Sequence, residues 1–272
     1  MKTSLMRGSL VLILVAGTMT LAQSGGIKLR YGFEKGKVYR YRTSMEFFNV
    51  ALPPGKEVSA KPSAEMGIGI SLSVVPGSST AGKEWKIVAD TVGMRATGPD
   101  GASRVVAFEQ LRGKSMELLT DDRGVPRGVQ AVEPSALNQT RELGFELFSR
   151  DLLYIMLIFP QFPEKSVETN ESWRFSWSDT VSRGGQHITF TRDTECKVVG
   201  QARVGGQTCN KIAYTVHTRF RGQTASGETT ATGTLYCSEG GIPLKSEAVM
   251  KTLITAGGSQ TIQRRTVNTT LE

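Results

Sequence analysis

The chain has 272 residues, of which 39% are hydrophobic and 21% charged, with 30 Gly and 10 Pro and a formal net charge of +8. That composition excludes a disordered, collagen-like or membrane-embedded chain. The length suffices to bury a core without a metal or a disulfide.

The first 22 residues read as a secretory signal peptide. Lys2 and Arg7 form a cationic start, and Leu10 to Ala16 is a compact apolar stretch. Thr20 and Ala22 place small residues three and one before a cut that leaves Gln23 first. The apolar stretch is well short of the ~20 residues that a membrane-spanning helix needs. No later stretch is long enough to cross either, so the expected mature chain is exported, soluble, and periplasmic or extracellular. Losing Lys2 and Arg7 and no acid takes the net charge from +8 to +6. The remaining basic residues gather at Arg30, Lys35, Lys37, Arg40 and Arg42, at Arg219 and Arg221, and at Arg264 and Arg265. No nucleic-acid module accompanies them. They read as a solvated basic face, with a weak attraction to anionic lipid headgroups as the alternative.

Beyond the leader the chain reads as strands. Tyr39, Tyr41, Met45 and Phe47 alternate with Arg40, Arg42, Ser44 and Glu46. From 66 to 74, Met66, Ile68, Ile70, Leu72 and Val74 alternate with Gly67, Gly69, Ser71 and Ser73. Trp173, Phe175 and Trp177 do the same, as do Ile212, Tyr214, Val216 and Phe220. Period two with one polar face is the signature of a half-buried strand. Gly184-Gly185, Gly205-Gly206, Gly257-Gly258 and Asp121 to Gly124 read as hairpin turns. Short turns between one-sided strands predict an antiparallel meander. The stretch from Leu52 to Ser63, with three Pro, reads as a loop.

One segment breaks this pattern. Between Ser135 and Phe159, residues Leu143, Leu147, Phe148, Leu152, Ile155 and Phe159 recur at three-to-four spacing, and Pro160 follows. That spacing predicts a helix over 135–159, apolar all round at its end, lying across the concave face of a curved sheet.

Three short matches recur in order. Phe33 to Tyr41 aligns with Val167 to Phe175, Trp85-Lys86-Ile87 with Asn210-Lys211-Ile212, and Leu118 to Pro126 with Leu235 to Pro243. In the first, Gly36 meets Asn170, the two residue types that best tolerate a left-handed backbone. The recurrence predicts a duplication: pseudo-repeats at about 29–132 and 163–272, linked by the helix, within a single β-rich domain of residues 23–272. The predicted fold is therefore α+β, mainly β: a curved antiparallel half-barrel of two related halves wrapped around one long helix.

The strand Phe33-x-x-Gly36-x-x-Tyr39-x-Tyr41 resembles the opening of an uncharacterised exported bacterial family, as do Phe162-Pro163 and the strand beginning Ser172-Trp173. Asn170 stands where that family's pattern has Gly. In layout the chain resembles the lipoprotein-carrier half-barrels (LolA/LolB-like). The resemblance implies an antiparallel sheet that binds acyl chains and supplies no catalytic residues.

No pattern of catalytic chemistry emerges. His187 and His217 are the only histidines, too few for a metal motif or a triad, and both read as surface residues. Ser115, Ser172 and Ser238 lack a nucleophile elbow. Cys196, Cys209 and Cys237 follow no zinc spacing. Glu34 and Glu168 recur six residues before Arg40 and Arg174, which suggests an ion pair at each strand start. No cofactor or metal is expected, and the chain reads as non-enzymatic. The feature suited to function is apolar: Tyr154, Met156, Ile158, Phe159, Trp173 and Trp177 could line a groove between helix and sheet for a lipid or other apolar ligand. The alternative is a structural or interaction module with a filled core, acting on an envelope protein partner.

Overall fold

In the computed structural model the described residues are 26–52, 65–77, 83–97, 102–130, 161–183 and 186–272. They form β1 (Tyr39–Leu52), β2 (Glu65–Pro76), β3 (Lys83–Thr97), β4 (Ser103–Ala107), β5 (Ser115–Thr120), β6 (Pro126–Gln130), β7 (Ser172–Arg183), β8 (Gln186–Val204), β9 (Gln207–Arg221), β10 (Ala225–Ser238), β11 (Pro243–Ala256) and β12 (Ser259–Leu271). All belong to one sheet, in the order β6-β5-β3-β2-β1-β12-β11-β10-β9-β8-β7. Strand β4 pairs the far end of β3, and β5 pairs its near end. Every pairing is antiparallel, so the predicted meander is present. The first and last strands meet mid-sheet, from Tyr41 opposite Leu271 to Leu52 opposite Gln260.

The predicted alternation sets which face is buried. Ile68, Ile70, Leu72 and Val74 of β2 are all at most 4% exposed, and Tyr39, Tyr41 and Met45 of β1 are buried beside them. Ile212, Tyr214 and Val216 continue that face on β9. Gly205-Gly206 and Gly257-Gly258 join β8 to β9 and β11 to β12 with positive φ at both residues, as the tight hairpin turn requires. Gly184-Gly185 and most of the predicted 52–63 loop lie outside the described residues.

The sheet is rolled. From β5 to β11 there are five inter-strand steps, about 24 Å if the sheet were flat. Yet one stretch of backbone touches the turns at both places. Tyr31 N donates to Asp122 O at 3.0 Å in the β5–β6 turn. At the next residue, Gly32, a Cβ would sit 2.5 Å from Gly240 O in the β10–β11 turn. Only a curled sheet brings the two turns to one segment.

The α+β expectation is overturned. Among the described residues there is no α-helix, only a 3-10 turn at Glu109–Leu111, and one antiparallel sheet carries the architecture. The predicted helix 135–159 lies outside the described residues. Apolar spacing in one segment is weak evidence for fold class beside twelve antiparallel strands. At the closed end of the roll the core is filled by extended chain instead. Leu29, Tyr31 and Phe33 alternate at period two and are 0%, 3% and 7% exposed. Tyr31 packs on Phe162 at 4.7 Å between ring centroids, and Phe33 meets Trp85 edge-on at 4.9 Å. Trp85 is 1% exposed and donates from Nε1 to Thr120 Oγ1 at 2.7 Å.

The matched stretches share their turns. Gly36 and Asn170 have φ of +79° and +73°, and Lys37 N to Glu34 O repeats as Glu171 N to Glu168 O. Gly124 and Gly241 have φ of +81° and +73°. Asp121 N to Val125 O repeats as Ser238 N to Ile242 O. Register refines the weakest match. Leu118 faces Trp85, whereas Leu235 faces Ile212, two residues from the Asn210 of the sequence match. The expected Glu–Arg pairs do not form. Glu34 meets Lys37 at 3.3 Å, and Arg174 meets Glu195 across the β7–β8 pair at 2.8 Å. Direct cross-strand neighbours are closer than residues six apart on one extended chain.

Candidate functional site

Of the six residues predicted to line a groove, Tyr154, Met156, Ile158 and Phe159 lie outside the described residues. Trp173 and Trp177 are two residues apart on β7, the last strand of the sheet, and so share a face. With Phe175 they are half-buried and point to the inner side of the roll. Trp173 is anchored by the core and donates from Nε1 to Gln161 O at 3.0 Å. Trp177 lies further along β7, with the Arg192 guanidinium 5.1 Å from its ring centroid.

Register extends this point into a polar belt. Trp177 faces Arg192, which is followed across the sheet by Thr218, Thr229, Thr252 and Gln263. Arg192, Thr218 and Thr252 are 5%, 8% and 4% exposed. Arg192 Nε donates to Thr218 Oγ1 at 3.0 Å, and the Thr229 and Thr252 hydroxyls lie 2.9 Å apart. One row closer to the closed end, Met250 faces Arg265, which faces Phe47. Arg265 Nε donates to Gln263 Oε1 at 2.5 Å, and its guanidinium lies 5.1 Å from the Phe47 ring centroid. Burial lowers the pKa of Arg265 from the usual guanidinium range.

On the closed side of the belt the face is apolar, with Val216, Ala231 and Met250 in one row and Tyr214, Ala248 and Val267 nearby, all buried. Gly227 and Gly233 of β10 let Phe220 and Tyr214 lie flat across the sheet, since a Cβ at either would fall within 2.7 Å of the neighbouring ring. The belt therefore divides a packed interior from a more open rim holding Phe190 and Phe220.

The two arginines were hidden in the sequence. Arg264-Arg265 reads as part of a basic face, but adjacent residues of a strand point to opposite sides. Arg264 is exposed and Arg265 is turned inward. That doublet, placed within an alternating run, was the available signal. Arg192 offered another, because it occupies an inward position in the series Phe190, Arg192, Thr194, Cys196 and Val198.

Other chemistry is sparse. Among the described residues no cluster of three His, Cys, Asp or Glu could hold a metal ion. His187 and His217 are exposed, as expected. Cys196, Cys209 and Cys237 are free and buried, and desolvation pushes the Cys196 thiol up to about 12. The buried Tyr41 and Tyr214 hydroxyls are raised by the same cause. On the outer face a cavity of about 330 Å³ is lined by Arg42, Ser71, Asp90, Phe108, Glu109 and Arg112, among others. Two of its charges are already engaged: Arg42 pairs with Glu272 at 2.8 Å, and Asp90 accepts from Ser73 Oγ at 2.6 Å.

No protein-family profile and no curated protein matches the chain. Among solved structures, it is similar to a candidate lipoprotein from Parabacteroides distasonis, with 9% identity and a TM-score of 0.27 over 87% of this chain and 97% of that one. It is also similar to a candidate exported protein with a YmcC-like fold from Bacteroides fragilis, with 10% identity and a TM-score of 0.20 over 90% and 97%. The first is described as a lipoprotein and the second as exported, and neither as a lipoprotein carrier. At these scores no property passes from them to this chain. Among the described residues no helix is long and apolar enough to cross a membrane.

Proposed function

We propose that this chain is a non-enzymatic, exported envelope protein that receives a lipid or other apolar ligand on the inner face of its rolled sheet. The observation that carries this reading is the row Trp173, Phe175 and Trp177. Three large aromatic side chains on the inner side of an outermost strand are only half-buried, whereas Trp85 at the closed end is 1% exposed. Each can still lose apolar area to a ligand. An acyl chain gains about 0.8 kcal/mol per buried methylene, so ten methylenes contribute several kcal/mol before the entropy of association is subtracted. The chain also reads as a tandem duplication, supported by the matching turns at Gly36 and Asn170 and at Gly124 and Gly241.

The test is a titration of delipidated protein with a fluorescent fatty acid, followed by energy transfer from tryptophan. Saturable binding that weakens in Trp177→Ala supports the reading, and absence of saturable binding refutes it. A second reading, an interaction module, draws on β7 itself. Its 12 residues pair only with β8 among the described residues, and such an edge can accept a partner strand. Capture of one envelope protein by the lipid-free chain, abolished by a proline within β7, would favour it.

A further inference from the structure

We propose that Arg265 anchors the head of the bound ligand, which makes that ligand an amphiphile with a single anionic head, carboxylate or phosphate, on an apolar tail. The inference rests on the binding reading above and specifies its ligand. It starts from how charge is sorted between the faces. On strands β8 to β12 the carboxylates are Asp193, Glu195, Glu228 and Glu247, and all four are at outward register positions. The inward positions of the same strands carry Arg192, Arg265 and, past the β8 bulge, Arg203, and no acid. This inner face is therefore positive.

Of Arg192 and Arg265, Arg265 is the stronger anchor. Arg192 is already held between the Thr218 hydroxyl and the Trp177 ring beside the edge strand. Arg265 lies mid-sheet, where its neighbours Met250, Gln263 and Phe47 are all neutral. Among the described residues it forms no ion pair, its contacts being the Gln263 side-chain oxygen and the Phe47 ring. A partly desolvated guanidinium without a counter-charge is costly, and an arriving anion offsets that cost. Only Nε is engaged by Gln263, so the remaining N–H groups keep the planar fork that suits a carboxylate or phosphate. The Thr252 hydroxyl stands beside Gln263 and can donate to the same anion. The half-buried Phe47 ring beside it, and the half-buried Trp177, Phe190 and Phe220 on the open side of the belt, then supply apolar surface for the tail.

The test compares heads on one tail. Delipidated protein is titrated calorimetrically with dodecanoate, dodecyl phosphate and 1-dodecanol, each below its aggregation concentration. The expected result is that one or both anions bind about tenfold more tightly than the alcohol, the scale of a charge-assisted hydrogen bond. The carboxylate and phosphate arms decide between the two heads. Arg265→Gln should bring the preferred anion down to the affinity of the alcohol and leave alcohol binding in place. Arg265→Lys should retain part of the preference. Equal affinity of all three for the wild-type chain overturns this inference while leaving the binding reading intact. That comparison needs no variant to fold. A preference that survives Arg265→Gln in a folded variant also overturns it. Binding of none of the three refutes both.

Discussion

Gly241 joins the β10–β11 turn to the N-terminal segment, and its replacement by Ala tests the rolled architecture. Its φ is +73°, where an L-residue costs about 1–2 kcal/mol. Gly36 has φ of +79° and nothing within 4 Å of a would-be Cβ, so Gly36→Ala isolates that backbone cost. At Gly241 the Cβ would fall 1.9 Å from Arg30 O. The backbone at residue 30 must then withdraw by roughly 1.5 Å to reach ordinary contact. Arg30 also holds this corner together, donating from Nη1 to Pro163 O at 2.7 Å and pairing with Asp122 at 3.3 Å. Withdrawal unseats the buried series Leu29, Tyr31 and Phe33. At about 1.5–3 kcal/mol for each large side chain, losing half of that burial costs about 2–4 kcal/mol. Gly241→Ala should therefore destabilise by about 3–6 kcal/mol, against about 1–2 for Gly36→Ala. Urea unfolding followed by tryptophan emission measures both. Equal losses in the two variants would refute the claim that the segment is clamped between the turns.

The seam between the first and last strands gives a second test. Thr43 and Thr269 hydroxyls meet at 2.9 Å in the core. Either Thr→Val change alone leaves a buried hydroxyl unsatisfied, for about 1–3 kcal/mol, whereas the double change should be close to neutral. A double-mutant cycle that shows no coupling would contradict the pairing. Alkaline pH gives a third. Burial raises the folded-state pKa of Cys196 from 9.0 to about 12 and raises those of Cys237, Tyr41 and Tyr214. The unfolded chain loses these protons first, so stability should hold below about pH 9 and fall as pH rises toward 12. Cys196→Ala should flatten part of that slope in urea midpoints measured from pH 8 to 11. A fourth test uses Ellman's reagent at pH 8, which should find the three buried thiols unreactive in the folded chain and titratable in urea.

Much of the sheet was legible because period two needs no long-range information. Ile68 to Val74 and Ile212 to Val216 declared their buried face directly. The turns at Gly36 and Asn170 were legible because few residues accept a positive φ. The rolled closure was not, since it depends on Tyr31 reaching Asp122 and on Gly32 passing Gly240, contacts between residues far apart in the chain. The short extended run Leu29, Tyr31 and Phe33 precedes the first sheet strand and carries no signal of what it covers. The α+β class was misread because one apolar run was given the weight of an architecture that the described strands carry without any α-helix. The candidate site was half legible. The aromatic row on β7 stood out, but the inward arginines did not, because a charge is assigned to the surface by default.

The most direct measurement is native mass spectrometry of the chain purified without detergent. The expected spectrum holds, beside the bare polypeptide, a species heavier by one acidic amphiphile, which is lost on delipidation and restored by adding dodecanoate or dodecyl phosphate. A spectrum showing only the polypeptide mass, before and after such additions, would contradict ligand binding on the inner face.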